Sequence, residues 1–143
     1  MKSELLSIAQ SGGSVIVGLT DSENTPVITR GWNVCSEGEQ LSVMVAEETL
    51  IDDVLETGLS ISVTSSNLIS YKTIQAVGEI VKIDRPKPSD LEGFEKTVEV
   101  FVESVGEALF VPAEDVKGML PPALIRITLN LKEFFDQTPG AKK

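Results

Sequence analysis

The chain contains no histidine. That removes the side chain most often used as a general base near neutral pH and the commonest protein ligand of transition metals. Histidine-based triads and histidine–zinc sites are therefore excluded. There is one cysteine, Cys35, so no disulfide can form within the chain, and a lone thiol suits a reducing, cytoplasmic compartment. Cys35 sits in an apolar-rich stretch with no histidine to activate it, which predicts packing rather than chemistry. Aromatic residues make up only 5% of the chain, with a single tryptophan, Trp32. No apolar run is long enough to predict a membrane span, and Met1 to Gln10 lacks the apolar region of a signal peptide. Positive charge is scarce: 12 Lys and Arg stand against 22 Asp and Glu, for a net charge of −10. Nucleic-acid backbones and anionic membranes are not expected partners of such a chain. Neither metal-ligand spacing nor a paired-carboxylate constellation is present. Any redox or transfer chemistry is expected to reside in a cofactor.

What is present is the composition of one globular domain spanning residues 1–143, 41% hydrophobic and 24% charged, large enough for a single core. Leu5, Leu6, Ile8 and Ala9 predict a short first helix closed by Gly12 and Gly13. Strands are predicted over Ser14 to Thr20, Val27 to Cys35, Leu41 to Ala46, Leu59 to Thr64, Thr73 to Ile83 and Ala123 to Leu131. Gly31 falls inside the second of these, which predicts a bulge or a close approach by a ligand or another backbone. Thr49 is a candidate N-cap for a short helix whose stripe is Leu50, Ile51, Val54 and Leu55. Ser89 and Glu92 form a candidate capping box for a long helix with Leu91, Phe94, Val98, Phe101, Val102 and Val105 on one face. A turn of helix is expected from Pro112. Strands joined by short turns predict an antiparallel sheet, and six one-sided strands must close up to hide their edges. The expected fold is therefore mainly β (α+β): an antiparallel six-stranded barrel with flanking helices.

Two segments stand out together: Arg30-Gly31-Trp32-Asn33 in the second strand, and Ser70-Tyr71-Lys72-Thr73-Ile74-Gln75-Ala76-Val77-Gly78 opening the fifth. With the order of elements and the ending Phe135-Asp136-Gln137-Thr138-Pro139-Gly140, the chain resembles the pyridoxamine 5′-phosphate oxidase-like, FMN-binding split-barrel family from about Ser14 to Gly140. The resemblance implies a split β-barrel homodimer, an FMN site at each subunit interface, and oxidoreductase chemistry on an unidentified substrate. It carries Arg30, Gly31, Trp32 and Asn33 to the flavin, Lys72, Thr73 and Gln75 to its polar contacts, and Glu47 to Leu50, with Thr49 foremost, to its phosphate. Gln137 would reach the partner's site.

Elementary chemistry bears on this in both directions. FMN needs cations and N–H donors for its phosphate and a flat apolar wall for its ring. Arg30, Lys72 and Trp32 are of those types, and the Thr49 hydroxyl and the N–H groups after it suit a phosphate. Yet Ala46 to Asp53 carries Glu47, Glu48, Asp52 and Asp53 and no cation, where the family commonly places Lys-Thr or Ser-Arg-Lys. A phosphate about 6 Å from one carboxylate is repelled by roughly 3 kcal/mol at an effective dielectric near 20. A second expectation therefore stands beside the first: a split-barrel dimer without flavin, acting as a binding or structural module. Another planar cofactor, a deazaflavin or a haem, is a third, and the absence of histidine counts against haem. Pyridoxamine phosphate oxidase activity itself is not expected, because Arg30, Arg85 and Arg126 supply no obvious second phosphate site.

Overall fold

Gly31 decides how the sheet is laid out. In the computed structural model, which describes residues 1–20, 23–50 and 56–140 apart from the side chains of 49 and 50, the expected second strand is two strands. The elements run α1 (Lys2–Gln10), β1 (Ser14–Thr20), β2 (Pro26–Arg30), β3 (Trp32–Glu37), β4 (Gln40–Ala46), a 3-10 turn (Glu47–Leu50), β5 (Ser60–Ser66), β6 (Thr73–Asp84), α2 (Pro88–Leu109), α3 (Ala113–Lys117) and β7 (Leu124–Asp136). β2 pairs with β1 at one edge of the sheet, and β3 pairs with β4 at the other. The order is β2-β1-β5-β6-β7-β4-β3, antiparallel in every pair, seven strands rather than the six expected. One continuous segment thus belongs to both edges. The sheet curls so that its edges meet at Gly31 and stays open, with no ladder between β2 and β3.

The meeting point is crowded. A Cβ on Gly31 would stand 2.8 Å from Val15 Cγ1 and Val17 Cγ2 and 2.9 Å from Val43 Cγ2. Val15 and Val17 belong to one edge region and Val43 to the other, so side-chain volume is excluded where the chain crosses. The close approach expected at Gly31 is to these core side chains.

Two hydrophobic clusters follow from the curl. The larger fills the inside, with Val17, Leu41, Val43, Val45, Val63, Ile127 and Leu129 among its residues, and Leu5, Ile8 and Ala9 of α1 plug it. Each fully buried side chain of this kind contributes about 1.5–3 kcal/mol. Ser65 Oγ donates to Leu5 O at 2.9 Å in the buried seam, tying α1 to β5. The smaller cluster lies outside β3 and β4, where Trp32 and Met44 meet Val98, Phe101 and Val105 of α2 and Val116 of α3. This explains β4, whose five central residues are all buried although a half-covered strand should alternate.

Among the described residues, the other half of the sheet has no such cover. β1, β5 and β6 alternate between buried and accessible positions. Their outward rows read Ile28, Gly18, Ser62, Val77, Glu133 and then Arg30, Ile16, Thr64, Gln75, Phe135. Arg30 and Glu133, at opposite ends, are the charged members of these rows; Ile28 is 75% exposed, and Ile16, Ile28, Val77 and Phe135 belong to neither cluster.

Helix α2 begins at Pro88, earlier than a Ser89–Glu92 capping box would place it. The Lys87 backbone N–H donates to Asp90 Oδ2 at 2.7 Å, so Asp90 takes the role expected of Glu92. The helix expected over 50–55 lies outside the described residues beyond the 3-10 turn. Among the described residues no helix is long and apolar enough to cross a membrane.

Candidate functional site

Arg30 ends β2 and Trp32 opens β3, so both project where the sheet edges meet. Trp32 is buried and packs edge-on against Phe94, with centroids 5.7 Å apart, and against Phe101 at 5.6 Å. The Arg30 guanidinium carbon lies 5.2 Å from the Phe101 ring centroid and 6.0 Å from that of Trp32. Such cation–π stacking is worth about 0.5–2 kcal/mol. Arg30 Nη1 donates to Ser14 Oγ at 3.2 Å, and burial lowers its pKa from the ordinary arginine value. Of the chain's arginines, Arg85 pairs with Glu47 and Arg126 with several acids, whereas Arg30 has no carboxylate within 4.0 Å among the described residues. Beside it opens a cavity of about 230 Å³. Trp32, Phe101, Val105 and Val116 wall it, Leu68 and Met119 stand at its sides, and Ser14 and Arg30 are its polar lining.

The second predicted group gathers at the start of β6 and the end of β7. Thr73 N–H donates to Thr138 Oγ1 at 3.1 Å, and Gln137 N–H donates to Thr73 O at 2.9 Å. Gln137 Nε2 lies 3.5 Å from Gln75 Oε1. Lys72 Nζ is 3.1 Å from Asp136 Oδ2 and 3.5 Å from Glu4 Oε2. The Thr138 hydroxyl and N–H, then Lys72, pull the Asp136 pKa down to about 2. The hydrogen bond and charge of Asp136, then Glu4, raise that of Lys72. Lys72 is thus already matched by two carboxylates.

One row connects the two groups. Ser14 lies opposite Ser66, and Ser66 opposite Thr73, with Ser66 Oγ and Thr73 Oγ1 3.0 Å apart. Ser14, Ser66, Thr73 and Thr138 therefore line one end of the uncovered half-sheet, and Arg30, in the next row with Ile16, Thr64 and Gln75, reaches back to Ser14. Cross-strand alignment brings together residues far apart in sequence.

Asn33 and Thr49 do not join this row. Asn33 has a positive φ of 47°, and its Nδ2 donates to Asp90 O at 3.2 Å beneath α2. A Cβ on Gly93 would stand 2.8 Å from Asn33 Oδ1, so the helix lies directly on this side chain. Thr49 falls in the 3-10 turn, and its side chain lies outside the described residues. Arg85 Nη2 reaches Glu47 Oε1 at 2.9 Å, bringing a cation to the acidic turn that its own sequence lacks.

Sequence reasoning missed a buried ionic knot. Arg126 of β7, only 6% exposed, pairs with Glu37 of β3 and lies 3.6 Å from Asp90 of α2 and 3.9 Å from Asp84 of β6. The available signal was an arginine between Ile125 and Ile127 in an apolar strand. Cys35 lies near this knot. Burial, then the charges of Asp90 and Glu37, raise its thiol pKa, which disfavours the thiolate form.

No family model matches the chain, and no curated protein matches it. Solved structures do match in fold. An F420 reductase aligns over 92% of this chain and 95% of its own at 12% identity, with a TM-score of 0.57. A protein of Lactobacillus delbrueckii, provisionally named a pyridoxamine 5′-phosphate oxidase, aligns over 94% and 93% at 10% identity and a TM-score of 0.56. HutZ, the heme storage protein of Vibrio cholerae, aligns over 94% and 93% at 11% identity and a TM-score of 0.50. The chain has the split-barrel fold of the pyridoxamine 5′-phosphate oxidase-like proteins. At these identities the likeness is one of fold.

Proposed function

We propose that the chain is a homodimeric flavoprotein that holds FMN where the uncovered half-sheet meets the cavity mouth, and that it passes electrons or hydride to an acceptor. The observation that carries this reading is Arg30, an arginine with no carboxylate within 4.0 Å among the described residues, bonded to the end of a row of hydroxyl groups in a strongly acidic chain. Three fused rings do not fit a cavity of about 230 Å³, since an apolar cavity of roughly 150 Å³ takes one benzene. FMN therefore belongs on the open seam, where a second copy would close over it. Arg30, Thr73, Gln75 and Gln137 supply cation and polar contacts there. Gly31 and Trp32 form the supporting floor, and Lys72, Asn33 and Thr49 have indirect parts. The flavin would supply the redox chemistry, and the protein the orientation and charge. A two-fold partner would cover Ile16, Ile28 and Phe135. The F420 reductase supports a redox reading by analogy of fold. HutZ is described as storing heme, but this chain has no histidine to ligate one.

A specific observation favours the second reading, a dimer without flavin. Lys72 is matched by Glu4 and Asp136, and Glu47 and Glu48 face the concave surface beside Pro122 and Ala123. Titration with FMN, followed by Trp32 fluorescence and flavin absorbance, separates the two. Saturable quenching at about one FMN per chain with micromolar affinity supports the flavoprotein. No quenching at roughly millimolar FMN supports the flavin-free module.

A further inference from the structure

The cavity beneath Arg30 is too small for the proposed cofactor, yet it is walled and has a charge at its mouth. We propose that it binds a small aromatic carboxylate, with the ring between Trp32, Phe101 and Val105 and the carboxylate on Arg30. The inference goes beyond the flavin reading and does not depend on it.

Size sets the apolar part. An apolar cavity of roughly 150 Å³ accepts benzene. This one, at about 230 Å³, accepts a single ring with a short side chain. Its inner wall is aromatic and aliphatic, from Trp32, Phe101, Val105 and Val116, and suits an apolar ring.

Charge sets the head group. The polar lining is Ser14 and Arg30, and the two bond each other. A guanidinium has five N–H donors, and among the described residues Arg30 commits one of them, to Ser14. Its planar fork matches a carboxylate with two parallel hydrogen bonds. Stacking on Phe101 holds the fork at the cavity mouth. No other cation lines the cavity, so a monoanion is better matched than a doubly charged phosphate. An amine would face Arg30 directly and be repelled.

Calorimetric titration of FMN-free protein with 3-phenylpropionate, 3-phenylpropan-1-ol and 3-phenylpropylamine tests the proposal, since the three share a ring and differ in head group. FMN is left out because Arg30 is also proposed to touch it, so failure of the flavin reading leaves this test unaffected. The acid is expected to bind saturably, at least about tenfold more tightly than the alcohol, with no binding of the amine. Arg30→Gln is expected to bring the acid down to the level of the alcohol and leave the alcohol unchanged. Leu109→Trp, at an exposed position on the cavity lining, is expected to fill the space and abolish binding of both. Circular dichroism verifies that each variant is folded. Equal affinity for acid and alcohol, acid preference surviving Arg30→Gln, full binding by Leu109→Trp, or no binding of any probe at roughly 10 mM overturns the proposal.

Discussion

Asp136 Oδ2 lies 3.1 Å from Lys72 Nζ, joining the end of β7 to the start of β6. The contact decides how Lys72 behaves. Glu4 approaches the same ammonium from α1, so the lysine meets an incoming anion with its charge already answered. Among the described residues Arg30 has no such counter-charge. The two basic residues singled out in the sequence are therefore predicted to differ in effect. Arg30→Gln is expected to weaken FMN binding at least about tenfold, and Lys72→Gln by less than about threefold. Parallel fluorescence titrations check this. Equal losses would place Lys72 on the ligand and Asp136 elsewhere when FMN is bound.

The same pair gives a pH dependence. The Asp136 pKa is held at about 2, below its ordinary value of 3.8. A depressed carboxylate stabilises the folded chain above its unfolded pKa, and that contribution disappears as pH falls through the folded value. Asp136 should therefore contribute fully above about pH 5 and progressively lose its contribution between about pH 4 and 2. Its exposure to solvent keeps the effect small. Asp136→Asn is expected to flatten the acid limb of a stability–pH curve and leave the slope near neutrality unchanged. An unchanged acid limb would mean that the Thr138 and Lys72 contacts do not persist in solution.

Gly31 should tolerate no side chain. A Cβ there would come within 2.9 Å of Val15, Val17 and Val43, which belong to both halves of the curled sheet. Gly31→Ala is predicted to cost about 1–3 kcal/mol, the usual range for overpacking. Urea unfolding measures it. A loss below about 0.5 kcal/mol would mean that the edges part easily at this point.

What the sequence disclosed and what it hid divide along the range of the interactions. β1 was legible to the residue, because SVIVGLT is β-branched and bounded by Gly13 and a polar turn. Helix α2 was legible because its apolar stripe repeats over many turns. The break at Gly31 was only half legible: a mid-strand glycine signals a close approach, but not that the strand changes edges there. β7 runs to Asp136, past the expected Leu131, because Glu133, Phe134, Phe135 and Asp136 pair with the long β6. Alternation within β7 carries no trace of that pairing. Arg30 and Trp32 were picked out and do lie together at the cavity. Phe101 read only as helix core, and its part in the cavity wall became visible once α2 was laid over β3. The Arg126 knot joins positions far apart in sequence, and local pattern is blind to it.

That knot yields its own prediction. Arg126 answers Glu37, Asp90 and Asp84 from a nearly buried position. Removing one partner of a buried ion pair costs about 3–5 kcal/mol, because the remaining charges lose their compensation. Arg126→Met is expected near the lower end, since Glu37 is half exposed and can turn to water. Adding Asp90→Asn to Arg126→Met should recover part of the loss, because one stranded charge is then gone. Denaturant unfolding of the single and double variants measures both. A double variant less stable than Arg126→Met would show that Asp90 matters chiefly through its bond to the Lys87 backbone.

The uncovered half-sheet is the last test. Ile28, Ile16 and Phe135 are exposed apolar members of a face whose two central rows carry charge at Arg30 and Glu133, at opposite ends, in a chain of net charge −10. A partner copy on this face would bury them near its two-fold axis, where one substitution acts twice. Ile28→Glu places a like-charged pair in such an interface and leaves the fold intact, because Ile28 packs in neither core cluster. Sedimentation velocity at micromolar concentration should give a dimer for the parent chain and a monomer for Ile28→Glu. If the seam binds FMN only when closed, the same variant should lose FMN affinity in step with the dimer. A dimeric Ile28→Glu would move the interface to another face, and a monomeric variant with undiminished FMN affinity would show that a single chain completes the site.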